Sequence, residues 1–212
     1  MSLSEHVSRY AVLVPVKPPA VGKSRLLGVE DRRALAEAFA LDTVSACLAA
    51  ASISRVLVIT DDAGFSAHLS ALGAAAIPDG VADDLNGTLG QAAAEARRRW
   101  PDLTPVALCA DLPALRPADL DEVLGRTTGA HPWFVPDAAG VGTTLYTAAY
   151  DEFDPRFGPG SRAAHRLAGA HEIDDAPSSV RRDVDDLADL RDAILIGVGP
   201  RTAALAPRAD PG

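Results

Sequence analysis

The sequence predicts one α/β domain with a Rossmann-like sheet, mixed but mostly parallel, and helices on both faces. Continuous apolar runs alternate with Ala- and Leu-rich stretches along residues 10–124. Strands that are apolar along their whole length are typical of parallel sheets covered on both sides. The chain has 212 residues, 48% of them hydrophobic, without a repeat or an interdomain linker. We therefore expect one domain at 10–204, a flexible leader at 1–9 and a flexible tail at 205–212.

The individual elements follow from local patterns. Strands are predicted at short, mostly apolar runs, a pattern that becomes more mixed after residue 130, and the longest helix is predicted where Ala and Leu are frequent and Gly and Pro are missing. Asp61 or Asp62 can cap the helix after the second strand, and Asn86 can cap a helix that Pro101 stops. Pro117 suits the first position of a further helix. The predicted strands are 10–16, 55–60, 74–77, 105–109, 132–135, 143–148 and 171–173, and the other predicted helices are 30–51, 117–124, 161–168 and 186–195.

Charge and cysteine content narrow the classes of function. Lys and Arg total 20 against 29 Asp and Glu, which gives a net charge of −9. Nucleic acids and membrane surfaces are polyanions, so we expect neither as a partner. Cys47 and Cys109 lie in apolar runs and are interpreted as small buried hydrophobes, not as a disulfide or zinc framework. The sequence shows neither a membrane span nor the apolar region of a signal peptide, so a cytoplasmic location is expected.

The loop after the first predicted strand carries every lysine of the chain. Lys17 and Lys23 are the two lysines, beside 18 arginines. Compact ammonium groups, together with the forked guanidinium of Arg25, suit a triphosphate. The alternative is a solvated loop with charges at the start of a helix. Gly22, Lys23 and Ser24 resemble the end of a Walker A loop, but the first glycine of that motif is replaced by Lys17, so we reject a P-loop protein.

Two acidic segments suit a magnesium ion. Asp111 comes just after an apolar strand and is followed by Leu112 and Pro113, a position suited to holding Mg²⁺. Its alternative role as a helix cap is weakened because Pro117 lies six positions later. Asp183 and Asp185 lie on the same side of the chain if the segment is extended. Asp183 together with Asp111 could clamp one or two magnesium ions. Asp185 could instead cap helix 186–195, with Asp186 as a charge in its first turn.

Two glycine-rich segments suit a bound phosphate. Gly140 and Gly142 precede Thr143, where glycines let the backbone approach a ligand and Thr143 adds a donor. A dinucleotide-binding fingerprint is excluded there, because Leu145 replaces its third glycine. The segment Gly158-Pro-Gly160-Ser161 feeds the start of a predicted helix, which favours anions; the alternative is that Ser161 simply caps that helix.

The remaining polar candidates are one amide and the histidines. Asn86 either caps its helix or presents its amide to a purine edge. His131, His165 and His171 show no metal spacing and no triad context, so each is interpreted as structural.

In this order the motifs resemble those of the CofC/FbiD family, the 2-phospho-L-lactate or phosphoenolpyruvate guanylyltransferases of coenzyme F-420 biosynthesis. The resemblance covers about residues 10–203, and the ordered set is specific although each motif is weak alone. It implies a single-domain nucleotidyltransferase fold of the GT-A type. The matching residues are Pro15, Lys17, Lys23–Leu26, Leu85, Asn86, Asp111–Pro113, Gly142, Thr143, Arg156–Ser161, Asp183 and Asp185.

The sequence departs from the family pattern at two places. Ser24 stands where Thr is expected in many relatives, and Asp186-Leu187 stands where a Thr-Pro pair often follows the second aspartate.

The resemblance also implies roles for the matching residues. The implied metal ligands are Asp111 and Asp183, with Asp185 as a third candidate, and the implied catalytic residues are Lys23, Arg25, Asp111 and Asp183. Lys17, Lys23 and Arg25 would lie along the GTP phosphates with Asn86 near the base, and Thr143, Gly158 and Ser161 would seat phosphoenolpyruvate.

The implied reaction is attack of the acceptor's phosphate oxygen on the α-phosphorus of GTP, with Mg²⁺ as cofactor and pyrophosphate as leaving group. The resemblance favours phosphoenolpyruvate over 2-phospho-L-lactate as acceptor. The chain is rich in Ala, Arg and Asp with few lysines, and in this it is similar to the actinobacterial branch of the family, which uses phosphoenolpyruvate. The next enzyme of the pathway is expected as a transient partner.

Two alternative functions stay open. One is a molybdopterin cytidylyltransferase, although the Gly-rich N-terminal run of those enzymes is missing here, and the other is a non-catalytic nucleotide-binding domain.

Overall fold

The computed structural model describes residues 9–16, 32–81, 84–129 and 131–206, and these form one seven-stranded sheet with flanking helices. A 3-10 turn covers Tyr150–Glu152. The strands are β1 (Tyr10–Pro15), β2 (Ile53–Ile59), β3 (Ala75–Ile77), β4 (Thr104–Leu108), β5 (Trp133–Pro136), β6 (Thr143–Thr147) and β7 (His171–Glu172). The helices are α1 (Arg32–Ala49), α2 (Ala63–Leu72), α3 (Leu85–Arg99), α4 (Pro117–Arg126), α5 (Ser161–Leu167), α6 (Ser178–Arg181), α7 (Leu187–Ile196) and α8 (Pro200–Leu205).

The sheet has the order β3-β2-β1-β4-β6-β5-β7. All neighbouring strands run parallel except β6, which is antiparallel to both β4 and β5. The predicted mixed, mostly parallel sheet is therefore confirmed. Because β6 is reversed, its first residue lies at the same edge as the carboxyl ends of β4 and β5. This shared edge is called the carboxyl edge below.

The core lies on both faces of the sheet, because successive strand residues point to opposite sides. Val12 and Val14 of β1 pack in one cluster with residues of α1, α2 and α4. Leu13, between them, packs in a second cluster with Leu89 and Ala92 of α3. Helices therefore cover both faces, which agrees with the continuous apolar character of the strands.

Three predicted helix caps differ from the observed ones. Asp84, not Asn86, caps α3, and its carboxylate accepts from the Gly87 amide at 3.0 Å. Asp186, not Asp185, caps α7, because only its position allows the reciprocal capping box with Asp189.

Ser161 does not cap α5 either. The cap is Gly160, in the left-handed conformation with φ of 72°, which glycine adopts without a steric penalty. Ser161 is the first helical residue and is buried. Of the two candidates for α2, Asp62 is the cap and accepts from the Phe65 amide at 2.9 Å.

The ends of the described region differ slightly from the predicted bounds. Helix α8 continues to Leu205, the first residue of the segment predicted as a tail. Helices α6 and α8 and the 3-10 turn have no counterpart among the predicted elements. Within the described ranges, no helix combines the length and apolar character that crossing a bilayer requires.

Candidate active site

The candidate site lies at the carboxyl edge of the sheet. Asp111 follows β4, and Thr143 opens the reversed strand β6. The segment carrying Asp183 lies against Asp111, because the Val184 amide donates to the Asp111 carbonyl at 3.0 Å. The structure therefore brings together two acidic segments that are about 70 residues apart in sequence and were expected to act together.

Asp183 lies in a strongly acidic environment. Burial raises the pKa of Asp183 to about 7, and the neighbouring charges of Asp111, Asp185 and Asp137 raise it in the same direction. Val184 is fully buried, whereas Asp185 is exposed, so the alternation expected for an extended segment is present. Three carboxylates that oppose the ionisation of Asp183 form an arrangement that a divalent cation would relieve.

The donor chemistry of this cluster fits Mg²⁺, which prefers carboxylate oxygens and usually retains water or binds substrate phosphates. Among the described residues, no group of three or more His, Cys, Asp or Glu side chains converges as a complete metal site. A magnesium ion held here would therefore be completed by phosphate oxygens or water. Lys17, Lys23, Ser24 and Arg25 fall outside the described ranges, although β1, from which their loop continues, ends at this edge.

Asp137 is a site residue that sequence reasoning missed. Its carboxylate accepts from the amides of Val141 at 2.9 Å and Gly142 at 2.7 Å, and so shapes the loop that leads into Thr143. A Cβ atom at Gly142 would collide with this carboxylate, which explains the glycine. Asp137 directly follows β5, as Asp111 closely follows β4, and this shared position could have identified it.

Arg181 fixes the position of the Asp137 loop relative to Asp183. Its guanidinium donates to the carbonyls of Pro136 at 3.2 Å, Asp137 at 3.0 Å and Asp174 at 2.8 Å. Its own carbonyl accepts from the Ala138 amide at 2.8 Å. Three of these four hydrogen bonds therefore tie residues 136–138 to Arg181, two residues before Asp183.

The second part of the site is the glycine turn before α5. Gly158 and Gly160 have φ angles of 132° and 72°, which side chains with a Cβ rarely adopt. Among the described residues, their amides donate to no protein acceptor, and the buried Ser161 hydroxyl makes no hydrogen bond. These three groups are available to an anion.

The first turn of α5 does not provide the anion site that the sequence predicted. The amides of Ser161, Arg162 and Ala163 donate to the carbonyls of Gly158, Val141 and Gly160. Any anion would be held by the preceding turn and not by the helix end. The Arg162 side chain adds to this junction, donating to the Gly140 carbonyl at 2.9 Å and pairing with Glu172 at 2.6 Å.

Thr143 is connected to the glycine turn through His165. The Thr143 hydroxyl lies 3.0 Å from His165 Nδ1, and the Arg156 amide donates to His165 Nε2 at 2.9 Å. Phe157, the next residue, is clamped by Asn86, whose amide donates to its carbonyl at 2.9 Å and accepts from its N–H at 2.8 Å. Asn86 retains one N–H and one oxygen lone pair for the predicted contact with a base.

The fold places the protein in a recognisable class. Over 89% of this chain and 97% of the other, the structure is similar to a nucleotidyl transferase of a Methanothermobacter species, with a TM-score of 0.57 at 14% identity. At that identity the likeness concerns the fold alone. The fold is that of nucleotidyltransferases, and its ligand-accessible groups lie at the carboxyl edge, where α/β folds bind ligands.

Sequence comparison then identifies the family. The family model described as guanylyl transferase CofC like matches residues 10–205. A phosphoenolpyruvate guanylyltransferase of Streptomyces coelicolor is 50% identical over 205 residues, covering 94% of this chain and 97% of the relative. A protein of the same name from Thermomonospora curvata is 48% identical over 203 residues, covering 94% and 89%. The chain belongs to the CofC-like guanylyl transferase family, and the resemblance seen in its motifs is confirmed.

Proposed function

We propose that the protein transfers GMP from GTP to phosphoenolpyruvate and releases pyrophosphate, with Mg²⁺ as cofactor, in coenzyme F-420 biosynthesis. One observation carries the proposal: an acidic cluster and an anion-accepting turn meet at one edge of the sheet, in a chain half identical to relatives named for this activity. The proposal places the enzyme in the cytoplasm, where both substrates are made. The next enzyme of the pathway would receive the product, if only by transient contact.

The proposed reaction is one in-line displacement. A phosphate oxygen of phosphoenolpyruvate attacks the α-phosphorus of GTP, and the bond between that phosphorus and the oxygen of the β-phosphate breaks. The products are the guanosine diphosphate ester of enolpyruvate and pyrophosphate. No protein nucleophile is required, because positioning and charge neutralisation provide most of the acceleration in such reactions.

Asp111, Asp183 and Asp185 would hold the magnesium ion, which supplies charge neutralisation and a template for the phosphates. In the proposal Lys17, Lys23 and Arg25 bind the triphosphate.

The acceptor would lie against the glycine turn. Among the described residues, the amide of Gly158 and the hydroxyl of Ser161 have no protein partner and could donate to its anionic oxygens. The Thr143 hydroxyl is connected to the same turn through His165. Hydrogen bonds to charged oxygens are about twice as strong as neutral ones, so a few groups suffice to orient a small anion.

The test is a pyrophosphate-release assay across the four common ribonucleoside triphosphates, with phosphoenolpyruvate, 2-phospho-L-lactate or no acceptor. We expect release with GTP and phosphoenolpyruvate, and little release without an acceptor. A preference for CTP with a pterin acceptor would support a molybdopterin cytidylyltransferase instead. Binding of GTP without turnover on any acceptor would indicate a non-catalytic domain.

A further inference from the structure

We infer that His165 is a positioning residue for the acceptor: its ring carries its proton on Nδ1 and thereby directs the hydroxyl hydrogen of Thr143 towards the ligand. The inference rests on the proposed function, because it assigns Thr143 to the acceptor. The sequence offered no sign of this role, since His165 has no metal spacing and no triad context.

The protonation state of the ring follows from its hydrogen bonds. The Arg156 amide lies 2.9 Å from Nε2 and, as a backbone N–H, can only donate. Nε2 must therefore present a lone pair, which excludes both the imidazolium ion and the neutral form protonated at Nε2. The remaining form carries its hydrogen on Nδ1, which lies 3.0 Å from the Thr143 hydroxyl oxygen.

The surroundings of the ring keep it neutral. Burial lowers the pKa of His165 to about 4; the Ser161 carbonyl and Asp154 act in the opposite direction, and Arg156 lowers the pKa further. The ring is fully buried and stacks on the neighbouring rings of Tyr146 and Phe134, with centroid distances of 4.9 and 5.3 Å, while Phe157 makes an edge contact at 5.7 Å. These aromatic contacts leave little room for the ring to turn, so its hydrogen-bond directions are fixed.

The consequence concerns the hydrogen of the Thr143 hydroxyl. Nδ1 already bears a hydrogen, so the hydroxyl cannot donate to it. Among the described residues, the hydroxyl makes no other hydrogen bond, although Thr143 is 6% exposed. A buried donor without an acceptor is unfavourable, and an anionic ligand oxygen would satisfy it. The Thr143 hydroxyl therefore accepts from His165 Nδ1 and keeps its own hydrogen for donation to the ligand.

His165 also joins the two parts of the proposed acceptor site. Its Nδ1 contacts Thr143 at the start of β6, and its Nε2 holds the Arg156 amide, two residues before Gly158. A change at either nitrogen should therefore affect binding of the acceptor more than binding of GTP.

Nuclear magnetic resonance of the histidine ring nitrogens tests the first step. Long-range ¹H–¹⁵N spectra of the full-length enzyme should show one ring protonated at Nδ1 from about pH 5.5 to about pH 8, as expected for a buried neutral histidine. The signal is assigned by its loss in His165→Gln. A His165 ring protonated at Nε2, or at both nitrogens, would overturn the inference.

A pair of substitutions tests the second step. In His165→Asn the side-chain amide can occupy the Nδ1 position and still donate to Thr143, whereas in His165→Gln it lies near Nε2 and cannot. We expect His165→Gln and Thr143→Val each to raise KM for phosphoenolpyruvate roughly tenfold, the loss of a hydrogen bond to a charged group. His165→Asn should stay within about threefold, and KM for GTP within about twofold in all three.

The double variant and a control complete the test. His165→Gln combined with Thr143→Val should be no worse than either alone, because both remove the same bond. His68→Gln, on the exposed surface of α2, should change neither constant. If the effects of His165→Gln and Thr143→Val were additive, or if KM for phosphoenolpyruvate and KM for GTP rose equally, His165 would have only a structural role. A wild-type enzyme inactive on phosphoenolpyruvate would instead refute the proposed function, and with it the acceptor role.

Discussion

Replacing Asp183 by asparagine should stabilise the metal-free protein, in a manner that depends on pH. The pKa of this carboxyl is raised from 3.8 to about 7, first by burial and then by Asp111, Asp185 and Asp137. Between these values the folded protein binds a proton that the unfolded chain has released. The free energy of unfolding therefore falls as the pH rises through this window and levels off above it. Asparagine keeps the shape of the side chain but does not titrate.

The size of the effect follows from the same two pKa values. The difference between 3.8 and about 7 corresponds to about 4 kcal/mol once Asp183 is fully ionised. Asp183 is partly exposed and its neighbours can adjust, so we expect about 2 kcal/mol for Asp183→Asn at pH 8. Near pH 4 the two proteins should be almost equally stable, because Asp183 is then protonated when folded.

Urea unfolding from about pH 4 to about pH 8, in the presence of a chelator, measures this difference. Asp102→Asn, on an exposed turn before β4, is the matched control and should show no such trend. Adding millimolar Mg²⁺ should stabilise the wild-type protein and have much less effect on Asp183→Asn, since the ion binds only the folded state. A constant gap at all pH values, or a less stable variant at pH 8, would refute the account of the acidic cluster.

Three further predictions concern turnover. Asp111→Asn should lower kcat by roughly 10²-fold or more while the circular dichroism spectrum stays native, because developing charge loses stabilisation; near-normal Mg²⁺-dependent activity would remove Asp111 from the site. Lys23→Ala and Arg25→Ala should raise KM for GTP more than KM for the acceptor, because they are expected to meet a triphosphate; equal loss for both substrates would indicate a collapsed loop. Asn86→Ala should raise KM for phosphoenolpyruvate by releasing Phe157; an unchanged KM with a reduced preference for GTP over ATP would favour the base contact.

Much of the sheet could be predicted because β1, β2 and β4 consist mainly of apolar residues. Every predicted strand is present with bounds that differ by at most two residues. The reversed direction of β6 is not encoded in its composition, since a buried strand can pair with its neighbours in either direction. Only the six-residue connection from β5 indicates it, because a parallel crossover needs a dozen or more residues.

The helix caps were harder to predict, because neighbouring residues compete for them. Asp185 and Asp186 are both suitable caps, and Asp189 decides between them by completing the capping box. Similarly, Asp84 and Asn86 both favour a helix start, and the choice of Asp84 leaves Asn86 free to clamp Phe157.

Candidate site residues could be predicted where a local sequence pattern identifies them, but not where their contacts form only in the folded protein. Asp111 and Asp183 could be identified as carboxylates after or within extended segments. His165 could not, because its proposed role depends on Thr143, 22 residues away, and on the aromatic rings of Phe134 in β5 and Tyr146 in β6. Asp137 stands between these cases, since it follows a strand but its partners are backbone amides of its own loop.

The most direct test of the central claim is ³¹P nuclear magnetic resonance of the purified enzyme with GTP, phosphoenolpyruvate and Mg²⁺. Guanylyl transfer predicts two new, mutually coupled diphosphate signals, together with pyrophosphate in equal amount, as both substrates decline. With phosphoenolpyruvate labelled with ¹⁸O in its phosphate group, the label should appear in the bridge of the new diphosphate, because the acceptor oxygen is the attacking atom. Release of pyrophosphate or phosphate without the coupled signals would mean simple hydrolysis of GTP, and would contradict the account.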